Sequence, residues 1–171
     1  EMHPIGDRQQ GKKSSRGKGK YKPKGRMVDP DALAEVQVLL GEITPQRDML
    51  IEYLHIIQDS QNHLSARHLA ALAHLMRLPM AEVWEVASFY DHFDLVREGE
   101  KAPAACTVRV CTSLSCMIAG GEELLEKLKP YANQHVRFVA APCIGACDKA
   151  PAAAIGHQLV ERASFDQLKG V

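Results

Sequence analysis

Aromatic side chains make up only 5% of the 171 residues, so Leu, Ile, Val and Ala must fill any core. No apolar run approaches the roughly 20 residues of a membrane-spanning helix, and no apolar segment of the signal-peptide kind follows Glu1. The expectation is a soluble, cytoplasmic protein. There is no G-x-G-x-x-G fingerprint and no P-loop, so the chain alone is not expected to bind a dinucleotide or to act as an enzyme. The absence of C-x-x-C argues against a thioredoxin-type redox pair. Net charge is also lacking, because 21 basic residues balance 21 acidic ones. The balance is uneven: residues 1–26 hold nine Lys or Arg against Glu1 and Asp7, and the body is correspondingly acidic. With almost nothing apolar to bury, residues 1–28 read as a basic, disordered tail. No aromatic platform accompanies the charge, so nucleic acid is not the expected partner.

From Asp29 onward the sequence is punctuated for helices. Asp29-Pro30 reads as an N-cap with Pro in the first turn, and Gly41 closes that helix after Leu40. Thr44-Pro45 repeats the signal ahead of Leu50, Tyr53, Leu54 and Ile57 at helical spacing. Ser65 reads as a third N-cap, with Leu64 and Leu69 placed for a hydrophobic staple. Leu69, Leu72, Ala73 and Met76 form the buried stripe behind it. Pro79 opens a fourth helix carrying Val83, Trp84 and Ala87. Residues 29–100 are expected to be a helical bundle. His55, His63, His68, His74 and His92 lie in or near it, read as surface or partly buried side chains.

Residues 101–171 change period. Cys106, Val108 and Val110 alternate as on a strand; Leu124, Leu125 and Leu128 mark a helix; Val136, Phe138 and Ala140 alternate again. Strand, helix, strand implies two parallel strands. A short strand over 152–155, a Gly156-His157 turn of type II′ and a strand over 158–161 follow. Ser164 and Gln167 then make a capping box. The order β-α-β-β-β-α suits a small thioredoxin-like sheet, giving an α+β chain with an N-terminal helical bundle.

The cysteines carry the chemistry. Cys111 and Cys116 are spaced C-x4-C, and Cys143 and Cys147 C-x3-C. An odd number of cysteines in tight pairs favours metal binding over disulfides in a cytoplasmic protein. Each pair starts at or just after the end of a predicted strand. If the strands are parallel, both loops share one edge and four thiolates can converge. Four thiolates suit zinc or an iron–sulphur cluster, and two separate pairs suit two irons. No His adjoins either pair, which argues against a Rieske centre. Cys106, on a strand face with Val108 and Val110, reads as a core residue. Asp148 and Lys149, beside Cys147, read as surface charges rather than an acid–base pair.

The segments Val110-Cys111-Thr-Ser-Leu-Ser-Cys116-Met, Gly120-Gly121-Glu122-Glu123-Leu124 and Ala141-Pro142-Cys143-Ile-Gly-Ala-Cys147-Asp-Lys-Ala-Pro151 resemble the small iron–sulphur subunit of respiratory complex I. Leu78-Pro79-Met80-Ala81-Glu82-Val83 and Val86-Ala87-Ser88-Phe89-Tyr90 resemble the segment preceding that family's cluster domain. The resemblance covers about residues 44–168. It implies a thioredoxin-like domain holding one [2Fe–2S] cluster on Cys111, Cys116, Cys143 and Cys147, and electron transfer with an FMN- and NAD-binding flavoprotein. Lys24-Gly25-Arg26-Met-Val-Asp29-Pro30 and Arg47-Asp48-Met49-Leu50-Ile51-Glu52 look closest to the NAD-dependent formate dehydrogenase members. In those enzymes the module partners a larger catalytic subunit carrying molybdenum or tungsten, and in some it is fused to the flavoprotein. The alternatives are the equivalent subunit of complex I or of a NAD-reducing hydrogenase, and, in another class, a zinc-stabilised interaction module. Loops 111–119 and 142–151 are expected to face the flavoprotein. Met117, Ile118 and Ile144 flank the ligands, either to exclude water or to pack inside.

Overall fold

The computed structural model describes residues 27–42 and 46–171. The basic tail up to Arg26 and the Thr44-Pro45 helix signal lie outside them. Helix α1 spans Pro30–Leu40, with the Asp29 carboxylate accepting from the Asp31 N–H at 3.0 Å and Gly41 taking φ 66° at the end. A positive φ favours glycine there. A 3₁₀ turn over Arg47–Met49 leads into α2, Leu50–Gln61, which ends on Asn62 in the left-handed region. Strand β1 is only Leu64–Ser65, and it pairs in parallel with β2, Leu95–Val96. Sequence periodicity gave no sign of this pair, because two residues are too few to alternate. Helix α3, Ala66–Met76, is capped by Ser65, whose hydroxyl accepts from the His68 N–H at 3.2 Å. Helix α4 spans Met80–Phe89, with Pro79 as its extended N-cap rather than its first helical residue.

The four helices share one apolar core. Leu54, Ile57, Leu64, Leu69 and Leu72 are each fully buried in it, with Val36, Val83 and Met76 around them. Each fully buried Leu or Ile stabilises by about 1.5–3 kcal/mol. Leu64 and Leu69 belong to the same cluster, as a staple requires. His68 departs from the surface or half-buried expectation: it is 2% exposed, with Nε2 at 2.7 Å from Glu35 on α1. A buried imidazole needs such a partner.

The C-terminal sheet has the order β4-β3-β5-β6. Strand β3, Cys106–Cys111, lies in the middle, and β4, Val136–Ala141, runs parallel to it with Cys111 opposite Ala141. Between them come α5, Leu114–Ile118, and α6, Gly121–Leu128. Strand β5, Ala153–Ile155, runs antiparallel to β3 and pairs with β6, Gln158–Val160. The two-residue loop has Gly156 at φ 55° while His157 keeps a negative φ, consistent with the type II′ turn. Helix α7, Phe165–Leu168, carries the Ser164–Gln167 capping box. The topology agrees with the thioredoxin-like α+β fold. Val108, Val110, Val136 and Phe138 join α6 and α7 in a second core. Thr107, Arg109 and Arg137 lie on the opposite face; Arg137 Nε donates to the Thr107 hydroxyl at 2.8 Å.

Candidate metal centre

Cys111 is the last residue of β3, and Cys143 follows the end of β4 by two residues. Because these strands are parallel and in register, both cysteine loops leave from one edge of the sheet. The Thr112 N–H donates to the Ala141 carbonyl at 3.0 Å and ties the two exits together. Helix α5 folds back immediately, bringing Cys116 beside Cys111. Each is 2% exposed, in a small cluster with Ala146 and Ala152. The other pair lies at the surface, with Cys143 and Cys147 sulfurs 3.3 Å apart. A tetrahedral ion with metal–sulfur bonds of about 2.3 Å holds two thiolates a little under ~4 Å apart, so this spacing suits a shared metal.

The backbone around the sulfurs is arranged for thiolates. The Gly145 N–H donates to Cys143 and, aided by the neighbouring Cys147 thiol, holds its pKa below the ordinary thiol value. Cys147 is pushed up, chiefly because it shares a hydrogen bond with Cys143 and feels its charge; the Ser115 hydroxyl acts in the opposite direction. Burial raises Cys116, opposed by the Ala152 N–H. Such N–H and O–H donors are what sulfurs carrying negative charge require. Gly145 sits at φ +86°, and Gly121 packs so closely that an added Cβ would lie 2.6 Å from the Cys111 carbonyl oxygen and 2.8 Å from that of Cys116. The all-sulfur donor set in two pairs, with a hydrogen-bond donor beside Cys116, Cys143 and Cys147, fits a two-iron cluster, which supplies one-electron redox chemistry when bound.

The remaining candidates separate from the site. Cys106 begins β3, five residues before Cys111, roughly 17 Å away at strand rise, and packs against the second core. Lys149 Nζ lies 3.5 Å from Glu161 and 3.9 Å from Asp148, a surface ion-pair arrangement. Met117 and Ile118 are 42% and 77% exposed, so they do not pack inside; Ile144 is half-buried against the cysteine cluster. Leu114, also exposed, joins this apolar rim and was missed, because a five-residue helix shows no periodicity. No helix among the described residues is long and apolar enough to cross a membrane.

The chain is similar to several known proteins. A NADH-quinone oxidoreductase subunit from Aquifex aeolicus is 33% identical over 126 residues, covering 68% of this chain and 76% of the relative. The corresponding NADH-quinone oxidoreductase subunit from Mycobacterium tuberculosis is 28% identical over 149 residues, covering 80% of this chain. This chain thus spans 57% of the length of that mycobacterial relative. A solved NAD⁺-reducing [NiFe]-hydrogenase has the same fold over 74% of this chain and 22% of its own, with a TM-score of 0.57 and 24% identity. The family described as thioredoxin-like [2Fe–2S] ferredoxin matches residues 36–171. That match decides for a [2Fe–2S] cluster over zinc, and the chain belongs to the thioredoxin-like [2Fe–2S] ferredoxin family.

Proposed function

We propose that Cys111, Cys116, Cys143 and Cys147 hold one [2Fe–2S] cluster, and that the chain is the electron-transfer subunit of an NAD-dependent formate dehydrogenase, exchanging electrons with the FMN of a partner flavoprotein. The observation that carries the electron-transfer part is the convergence of the two cysteine loops on one edge of a parallel strand pair. Cys111 and Cys116 are buried while Cys143 and Cys147 are exposed. The outer pair therefore presents the redox centre to a partner, while the inner pair anchors it. Leu114, Met117 and Ile118 form an exposed apolar rim beside the ligands. Apolar side chains of this kind exclude water when covered and are rarely left bare without a use.

The formate dehydrogenase assignment rests on the Lys24–Pro30 and Arg47–Glu52 segments. The second reading places the same module in a NADH-quinone oxidoreductase, favoured by the mycobacterial and Aquifex relatives, or in a hydrogenase. The hydrogenase is favoured by a NADP-reducing hydrogenase subunit from Solidesulfovibrio fructosivorans, 26% identical and matched over 87% of its length. Purifying the chain with its native partners separates the readings: a larger molybdenum- or tungsten-containing subunit and formate-dependent reduction of the cluster support the first, and a quinone-reducing or hydrogen-oxidising assembly replaces it. A colourless protein without a reduced [2Fe–2S] EPR signal would sink the electron-transfer function altogether. In the assembled complex, Ile118→Lys should leave the cluster spectrum intact and slow flavin-to-cluster transfer by about tenfold or more, as expected for an apolar anchor lost from an interface centre.

A further inference from the structure

Three histidines far apart in sequence meet where the helical layer touches the sheet. His55 comes from α2, His92 from the segment after α4, and His157 from the turn between β5 and β6. Their ring centroids are 4.9 Å apart for His55 and His92, 4.7 Å for His92 and His157, and 5.6 Å for His55 and His157. One ligand-capable nitrogen of each lies within 4.8 Å of the others. His55 Nδ1 and His92 Nε2 are both buried without a hydrogen-bond partner. Buried imidazole nitrogens are normally paired, so two orphans in one cluster mark a missing partner.

We propose that His55, His92 and His157 bind a divalent transition-metal ion of the zinc class, with Asp59 positioning His157. Asp59 stands one turn beyond His55 on α2, and its Oδ1 lies 2.8 Å from His157 Nε2. With the proton on Nε2, Nδ1 of His157 carries the free lone pair, the carboxylate–histidine–metal arrangement of known zinc sites. Three imidazoles and a water make a tetrahedral shell. Nitrogens bound at about 2.0–2.1 Å stand roughly 3.4 Å apart, so nitrogens now within 4.8 Å of one another need to close by at most about 1.4 Å. The local charge permits a cation: Arg109 faces His92, but Asp94 holds it in an ion pair at 3.1 Å, and Asp59 adds a negative charge. Side chains of His157 and Asp59 are 58% and 53% exposed, giving the ion a way in.

The site is separate from the thiolates. Strand β5 runs antiparallel to β3, with Ile155 opposite Val108 and Ala153 opposite Val110. The 156–157 turn therefore lies toward the Cys106 end of β3, and the cysteine loops leave from the Cys111 end. A bound ion would pin α2, the segment after α4 and the β5–β6 turn to each other, adding binding energy to the folded state.

The test uses the full chain with its iron and sulfide complete, equilibrated with ZnCl₂. One zinc per chain is expected, with iron content unchanged. Zinc-edge X-ray absorption should show only nitrogen and oxygen neighbours, at about 2.0–2.1 Å. His157→Gln, at an exposed turn, should weaken zinc binding by at least about 100-fold and Asp59→Asn by about 10–100-fold, while His135→Gln leaves it unchanged. Zinc should also raise the melting temperature of the wild type and not of His157→Gln. No stoichiometric zinc, a sulfur shell at about 2.3 Å, iron released as zinc enters, or wild-type affinity in His157→Gln would each overturn the proposal.

Discussion

At Gly121 a side chain has no room. The nearest atoms to an added Cβ are the backbone carbonyls of Cys111 and Cys116, and neither can swing aside as a side-chain tip would. Gly121→Ala should therefore cost about 1–3 kcal/mol, the usual range for overpacking, and should lower cluster occupancy because both displaced residues are proposed ligands. Urea unfolding with iron and sulfide assay checks both effects. Gly145 differs: nothing stands within 4 Å of its Cβ position, but φ is +86°. Substitution there strains the backbone that aims an N–H at Cys143. Replacing Cys111, Cys116, Cys143 or Cys147 by Ala should abolish normal cluster assembly, since one iron loses a thiolate. Cys106→Ala should retain full iron and sulfide and lose only packing stability, being at the far end of β3. Loss of the cluster in the Cys106 variant alone would make Cys106 a ligand and overturn the proposed set of four.

Between elements, α1 and α3 are joined by a compact polar contact. Glu35 on α1 meets His68 Nε2 at 2.7 Å and Arg67 Nη2 at 2.8 Å. The hydrogen bond from His68, then the Arg67 guanidinium, hold the Glu35 carboxyl below its ordinary value of 4.5, with desolvation opposing. A depressed folded-state pKa stabilises the fold above the ordinary value and loses that contribution as pH falls through the folded one. Glu35→Gln should thus lower the melting temperature at neutral pH, and the gap from wild type should narrow below about pH 4.5. Thermal unfolding across this range tests it; a gap that widens with acid would contradict the assignment. The helix and strand spans that position these groups were legible in the sequence where caps and periodicity agreed. Asp29, Ser65 and Ser164 mark helix starts because their side-chain oxygens satisfy otherwise unpaired N–H groups. β1, β2 and α5 escaped, because each is too short to reveal its period.

Across the whole molecule, Asp94 is the junction. It follows α4, and its carboxylate faces Arg109 on β3 at 3.1 Å and Arg137 on β4. Its N–H donates to Gln58 Oε1 of α2 at 3.1 Å, and its carbonyl accepts from the Leu64 N–H at 2.8 Å. Arg109, itself buried, also donates to the carbonyls of Asp91 at 3.2 Å and His92 at 2.8 Å. Removing the carboxylate leaves a buried guanidinium without its counter-charge, a loss of about 3–5 kcal/mol for such pairs. Asp94→Ala should show this in urea unfolding, with Asp94→Asn intermediate because an amide oxygen still accepts a hydrogen bond. A cost below about 1 kcal/mol, the level of a surface ion pair, would mean that Asp94 does not hold the layers together.

The cysteine spacing and the alternation of Val108, Val110, Val136 and Phe138 were by themselves sufficient to put four sulfurs at one sheet edge. A parallel crossover leaves both strand ends on the same side, and local patterning encodes the strands themselves. Nothing local encodes which face of the sheet the helical layer covers. That depends on Asp94 finding Arg109 and Arg137, residues whose charges look like ordinary solvated ones in the sequence. Packing of α1 on α3 likewise buries His68 against Glu35, a pairing across 33 residues of chain. Docking of the helices on the sheet gathers His55, His92 and His157. Their meeting follows from three separate chain segments converging in space, a long-range arrangement that no spacing between neighbours can carry.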